Sequence, residues 1–379
     1  MSIFHWLVIV ILLLSLLMHG EQRKNIKFLF VAMLLLFIVC GLRDAVSVGT
    51  DSASSYYHGF LNVGPLPWED IKDTFEEGKH NGWFYYLYKL VYEVFDGDYQ
   101  WFVGIIAALD MIAVMFLINK YSPSPLQSVL FFLGLLYYPM MFGALKQCVA
   151  MAFIVFAFDA AMEKKPIRFL LLVLIGSQFH YPAIIFLPAY FLINIRTGRW
   201  YFFVLIGLFI VTYSFREQLL DWMVDVYDTE IIGYEGMRFL ANKVIVMLVI
   251  IAAALIIRPP SPKDKEYSAL LQMMGFAAVI QTFAEYNNTF ERLADYYFIF
   301  AIIFIPMVFE HKKTEKQYLS EKMIVLVGKT GPYLFGAFAI WRFLDAVNAH
   351  IWGITPYQFY FQADKIDETL SILIHSNWV

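Results

Sequence analysis

Apolar runs recur along this chain from Ile3 to Trp341, broken mostly by short polar connections, and that recurrence leaves few folds open to it. A stretch of about 20 apolar residues matches the hydrocarbon core of a bilayer, where every backbone polar group must pair inside the segment. Candidate spans cover residues 3–19, 28–47, 99–118, 126–143, 145–162 and 167–180, then 181–195, 200–215, 243–257, 268–285, 293–309 and 323–344. The expected fold is an all-α polytopic integral membrane protein of about twelve transmembrane helices. Composition agrees, at 60% hydrophobic and only 16% charged. The net charge of −4 gives no reason to expect a nucleic-acid partner, because in a membrane protein the informative quantity is how Lys and Arg divide between the two sides. Cys40 and Cys148 both lie in apolar segments, so no disulfide framework for the external loops is available. Ile3–Leu17 lacks a basic leader region and a small-residue cleavage site before Glu21, and reads as an uncleaved first span.

Sidedness follows from the connections. Arg23, Lys24 and Lys27, then Lys164, Lys165 and Arg168, then Arg196 and Arg199 fall on one face under this threading, with Arg258, Lys263 and Lys265, and Lys312, Lys313, Lys316 and Lys322. Basic residues at span ends mark the cytoplasm, which puts both termini outside. The threading hinges on residues 167–195, where about thirty residues allow one long span or two short ones. Pro182 and Pro188 break or kink a helix there. A single span would turn the basic connections after Arg258 outward, so two short, tilted or re-entrant helices meeting at His180 are expected. The chain reads as one membrane domain, 1–379, without internal repeats. Three external segments are long enough to hold structure: 42–98 after the second span, 216–242, and the tail 345–379. In the first, Trp83, Leu87, Leu90, Val91 and Val94 have helical spacing suited to a helix on the membrane surface; residues 366–374 have the same character.

Ionisable groups near a bilayer core cost a few kcal/mol each unless they face a cavity or a partner. Asp51, Lys146, His180 and Arg292 all land on the external face, which points to one polar site there. Each of its elements also has a plain structural reading. Arg43-Asp44 and Gly49-Thr50-Asp51 fit a snorkelling arginine and a turn. Lys146-Gln147 fits an interfacial helix start, although a cation there opposes the helix dipole and asks for an anion nearby. His180 is either a structural imidazole or a proton acceptor near neutral pH. Glu291, Arg292 and Asp295 can pair with one another, yet Arg292 is also a planar fork suited to phosphate oxygens. Asp96-Gly97-Asp98 is more readily a turn than a metal site, and the remaining histidines show no ligand spacing. Asn287-Asn288-Thr289 has the form of an N-glycosylation sequon, which matters only in a eukaryotic secretory membrane. Asp110 and Asp159 sit inside apolar runs, where an ion relay is conceivable; Asp159 is near enough to the cytoplasmic end to reach the interface.

Taken in order, Arg43 with Gly49-Thr50-Asp51 and Tyr56, the basic–Gln pair Lys146-Gln147 at a helix start, His180, and Arg292 to Tyr297 resemble the EpsG family over about residues 1–360, including Thr355-Pro356-Tyr357 after the last span. Two departures from the family pattern stand out: Lys146-Gln147 where Arg-Gln is usual, and Tyr181-Pro182-Ala183 where small Ser-Ala follows the histidine. The resemblance implies a GT-C-like glycosyltransferase of the bacterial plasma (inner) membrane, active at the periplasmic or exterior face. Its role would be that of Wzy-type O-antigen, capsule or exopolysaccharide polymerases. The implied partners are undecaprenyl-diphosphate-linked oligosaccharide donor and acceptor, membrane lipid and a chain-length regulator protein; no cofactor and no metal are implied. On that reading Arg43, Lys146 and Arg292, with Arg216 or Arg238 from the second external loop, bind the diphosphate, and Gln147 and Tyr296 contact substrate. His180 or Asp51 is the general base. One base without a covalent nucleophile would invert the anomeric carbon. A flippase suits twelve spans and an internal Asp110, but the polar residues gather at one face and no pseudo-repeat is visible. An O-antigen ligase shares the membrane plan, though its large external loop normally comes late in the chain.

Overall fold

Prolines and capping carboxylates set the helix starts. Asp98 accepts the N–H of Gln100 and Asp264 that of Tyr267, each at the first turn of a long apolar helix. Pro125 and Pro166 take first helical positions, where a missing N–H is harmless. The computed structural model describes residues 2–18, 26–76, 82–194, 200–215, 218, 238–258, 264–285, 288–310 and 320–362, and these are almost wholly helical, with no extended strand. In chain order the helices are α1 (Ile3–Leu17), α2 (Ile26–Gly41), α3 (His58–Val63), α4 (Ile71–Glu76), α5 (Gly82–Val94), α6 (Tyr99–Tyr121), α7 (Pro125–Gly134), α8 (Tyr137–Met140) and α9 (Leu145–Met162). There follow α10 (Pro166–Phe179), α11 (Ala189–Asn194), α12 (Trp200–Ser214), α13 (Arg238–Ile257), α14 (Lys265–Gln281), α15 (Asn288–Phe298), α16 (Ala301–Phe309) and α17 (Glu321–Asn348).

Among the described residues α6, α9 and the segment Lys265–Ala284 are long and apolar enough to cross a membrane, and α15 with α16, bent by 47°, makes a fourth candidate. Several shorter apolar helices, α1, α2, α7 and α10 among them, pack beside these. Large apolar side chains such as Trp6, Leu17, Phe30, Ile112, Phe203 and Trp341 stand exposed on the outside, as lipid contact requires. The chain is an α-helical membrane protein.

Hydrogen bonds and ion pairs identify which helix ends lie together. At one end Lys120 pairs with Asp159 and Glu163, the Lys265 ammonium donates to the Met162 carbonyl (2.8 Å), and Arg258 reaches the Met307 carbonyl (2.7 Å), Asp264 and Glu310. Asp159 is therefore one partner of an ion pair at a helix end. At the other end Gln100 Nε2 donates to the Gly41 carbonyl (2.8 Å), joining the start of α6 to the end of α2. The Thr50 N–H donates to Trp352 (2.9 Å), and Arg43 forms an isolated antiparallel bridge with Phe359, so the segment after α2 is stitched to the residues after α17. The alternation of ends follows the apolar runs, and Lys164, Lys165, Arg168, Arg258 and Lys265 share the first end. Arg23, Lys24, Arg196, Arg199, Lys263, Lys312, Lys313 and Lys316 lie outside the described residues, as do most of 216–242, Asn287 of the sequon, and residues 363–379.

The hinge of the threading is resolved by two ring contacts. Phe169 on α10 lies 6.1 Å from Phe186 and 5.3 Å from Tyr190, centroid to centroid. In an unbroken helix residues 169 and 190 would be about 30 Å apart, so the chain has doubled back. The reversal is at His180, which is extended (φ −148°, ψ 102°), and a 3-10 turn over Tyr181–Phe186 follows it. Pro182 lacks the N–H that would let α10 continue.

Three stretches differ in detail from the sequence reading. Residues 126–143 do not form one helix: α7 ends at Gly134, Leu136 adopts a left-handed conformation (φ 68°), and only the single turn α8 follows. Pro139 removes a helix donor at that point. Helix α5 is not simply surface-bound, since Phe84, Tyr88 and Val91 are buried against α3 and α6 while Trp83, Leu90 and Val94 face outward. Asp96-Gly97-Asp98 is a turn, with positive φ at Asp96 and Gly97, that ends in the cap of α6.

Candidate functional site

The segment after α2 is shaped by Arg43, which is completely buried. Its Nε donates to the Val48 carbonyl (3.1 Å), Nη1 to that of Cys40 (2.7 Å) and Nη2 to that of Met141 (3.4 Å), and its guanidinium carbon lies 4.7 Å above the Phe142 ring. Arg43 therefore pins loop to helix end, its guanidinium engaged by backbone carbonyls. Gly49 has φ 123°, and a Cβ there would collide with the Phe142 carbonyl, so the glycine serves a close backbone approach. Asp51 follows, exposed and left-handed (φ 60°), its carbonyl accepting the N–H groups of Ser55 and Tyr56. The π-turn Ser52–Tyr57 carries Tyr56 inward until its ring meets Phe84 at 5.9 Å. Its hydroxyl lies at the backbone N–H of Lys146 and within electrostatic range of Arg292 and Asp51. Burial pushes the phenol up to about 12, so Tyr56 is a neutral donor.

Helix α9 starts beside it. The first turn leaves the N–H groups of Leu145, Lys146 and Gln147 without intrahelical acceptors. The Lys146 ammonium lies over the rings of Phe84 (5.4 Å) and Tyr85 (5.3 Å), and among the described residues no carboxylate contacts it. Gln147 is buried; its Nε2 donates to the Arg292 carbonyl (3.3 Å), while its Oε1 has no partner. An acceptor buried in that state calls for a donor from outside.

Helix α15 supplies two faces. Arg292 and Tyr296, four residues apart, share one side; Arg292 is exposed, and the wholly buried Tyr296 hydroxyl lies 2.6 Å from Nδ1 of His180. Glu291 and Asp295 point to a second group, where both pair with Lys243 and Asp295 accepts from the Tyr137 hydroxyl (3.2 Å). Because Lys243 takes the two carboxylates, Arg292 has none in contact among the described residues. His180 lies in the reversal, outside both flanking helices. Burial first, then the charges of Arg292 and Lys146, hold its imidazole neutral, with a pKa lowered to about 3.

Lys146, Gln147, His180, Arg292 and Tyr296 thus come together, with Asp51 at the rim through Tyr56. A model of the EpsG family matches residues 26–359. The chain belongs to the EpsG family. Neither a curated protein nor a solved structure matches it. Every member of this EpsG cluster lies within the matched span. Arg216 is outside the described residues, and Arg238 is described only as the backbone start of α13. Sequence reasoning missed the Phe84–Tyr85 floor under Lys146 and the role of Lys243. The aromatic run Trp83–Tyr86 was the available signal for the floor. The pairing of Lys243 with α15 crosses some fifty residues and leaves no local trace.

Proposed function

We propose that this EpsG-family protein is an exopolysaccharide or O-antigen-type polymerase. It would join undecaprenyl-diphosphate-linked repeat units at the external face of a bacterial plasma membrane, with about twelve spans and a GT-C-like plan. The observation that carries the reading is the pair Lys146 and Arg292, two cations with no carboxylate in contact among the described residues, beside the first turn of α9 and a neutral imidazole. A leaving diphosphate needs positive charge that is already in position when the bond breaks. In the proposed step His180 Nε2 takes the proton of the acceptor hydroxyl, whose oxygen attacks the anomeric carbon. The bond from that carbon to the diphosphate oxygen breaks, and the diphosphate leaves against Lys146 and Arg292. Base catalysis requires the tautomer in which Nδ1–H donates to Tyr296, leaving the lone pair on Nε2. Attack opposite the leaving group inverts the carbon, and the step calls for no metal. Arg43 acts by holding the loop that carries Tyr56 and Asp51.

Deleting the gene and analysing the surface glycan tests the reading. Loss of polymer with single repeat units still displayed supports it; lipid-linked units accumulating inside indicate a flippase, and long unattached polymer a ligase. Arg292→Ala should lower polymerisation by about 10²–10³ with the protein still in the membrane, and normal chain lengths in that variant would remove Arg292 from the mechanism.

A further inference from the structure

Between α7, α13, α16 and α17 the bundle encloses a cavity of about 330 Å³ with an apolar wall. Packed interiors leave few voids larger than a water molecule, and ligand pockets begin at about 300 Å³. Its outer lip is built from Ile245, Val249, Leu334 and Phe338, all exposed, so it opens where hydrocarbon chains would lie.

Cations stand at one end of this cavity. On α17, Phe335, Phe338, Ala339 and Arg342 are spaced i, i+3, i+4, i+7, and on α13 Lys243, Val246 and Ile250 are spaced i, i+3, i+7. Arg342 and Lys243 therefore continue the cavity-facing stripes by one turn, toward the end that carries His180 and Arg292. Lys243 is paired with Glu291 and Asp295. Arg342 is different: its Nη1 is buried without a hydrogen-bond partner, and no described carboxylate contacts the guanidinium, although Glu291 and Asp295 lie within electrostatic range. A buried donor of that kind is costly unless an acceptor reaches it from elsewhere.

We propose that this cavity holds the polyprenyl chain of the acceptor, whose own lipid-linked diphosphate, which does not leave in the reaction, lies at Arg342, on a different side of α15 from Arg292, where the donor's diphosphate leaves. Apolar wall, opening to lipid and the buried, unpartnered Nη1 of Arg342 together fit a long hydrocarbon with an anionic head. The choice of a polyprenyl diphosphate over a phospholipid rests on the polymerase reading above.

Retention of lipid by the purified full-length protein, measured by native mass spectrometry with undecaprenyl diphosphate, undecaprenol and phosphatidylglycerol as probes, tests this without turnover. The wild type should retain undecaprenyl diphosphate over phosphatidylglycerol. Val249→Trp, which fills the cavity from an exposed position, should weaken that retention by about tenfold or more. Arg342→Gln should abolish the preference for the diphosphate over undecaprenol. Unchanged retention in Val249→Trp, while the wild type still binds, overturns the cavity assignment and leaves the polymerase reading standing. Equal retention of phosphatidylglycerol by the wild type also overturns the proposal, as an adventitious lipid. Failure of the wild type to bind undecaprenyl diphosphate sinks both readings.

Discussion

Glu291 and Arg292 are neighbours in the chain and belong to different networks, because one step along a helix turns the side chain by about 100°. Glu291 faces Lys243, while Arg292 faces the group that holds Gln147 and His180. The balance of charge around His180 has a pH consequence. Its folded pKa of about 3 lies below the ordinary 6.5, so between those values the unfolded chain binds a proton that the folded protein does not. Stability contributed by this group is therefore lost as the pH falls from 6.5 toward 3. Lys146→Gln removes one of the two charges that depress the pKa. The acid limb of the rate profile should move upward in that variant, besides any loss of rate, and an unmoved limb would show that Lys146 does not act on His180. Gly49→Ala should destabilise the protein by on the order of 1–3 kcal/mol through its positive φ, and more from the contact with Phe142, as measured by thermal unfolding in detergent.

At the scale of elements, the reversal at His180 decides what the later helices face. Phe169 and Tyr190 make an aromatic contact only if α10 and α11 run back along each other. A double-mutant cycle with Phe169→Ala and Tyr190→Ala should give a coupling of about 0.5–1.5 kcal/mol; strict additivity would mean that the chain crosses once. The proline pair made the break readable in advance. The interruption of residues 126–143 was harder to read, since no local preference of leucine announces a left-handed Leu136 and the close approach of Gly134 to Ala339 is a contact between distant parts of the chain. Helix α5 shows the same limit: its apolar residues were recognisable, but not that one stripe serves the protein and another faces outward.

At the scale of the whole molecule, the ends of the bundle carry opposite assignments. Ser54→Cys, exposed beside Asp51, should react with a membrane-impermeant maleimide in intact cells. Lys164→Cys, at the end with Lys165 and Glu163, should react only after permeabilisation, and the reverse pattern would invert the proposed topology. The helical membrane class, the alternation of helix ends, the reversal at His180 and the gathering of Lys146, His180 and Arg292 were all determined by the sequence, because hydrophobic length, proline chemistry and the cost of charge in lipid act locally along the chain. Tertiary structure alone decided that Arg43 is enclosed by backbone carbonyls, that Lys243 takes Glu291 and Asp295 so that no described carboxylate contacts Arg292, and that Arg342 Nη1 is buried without a hydrogen-bond partner. Those outcomes depend on which helix faces come into contact, and the partners are too far apart in the chain for any local pattern to record them.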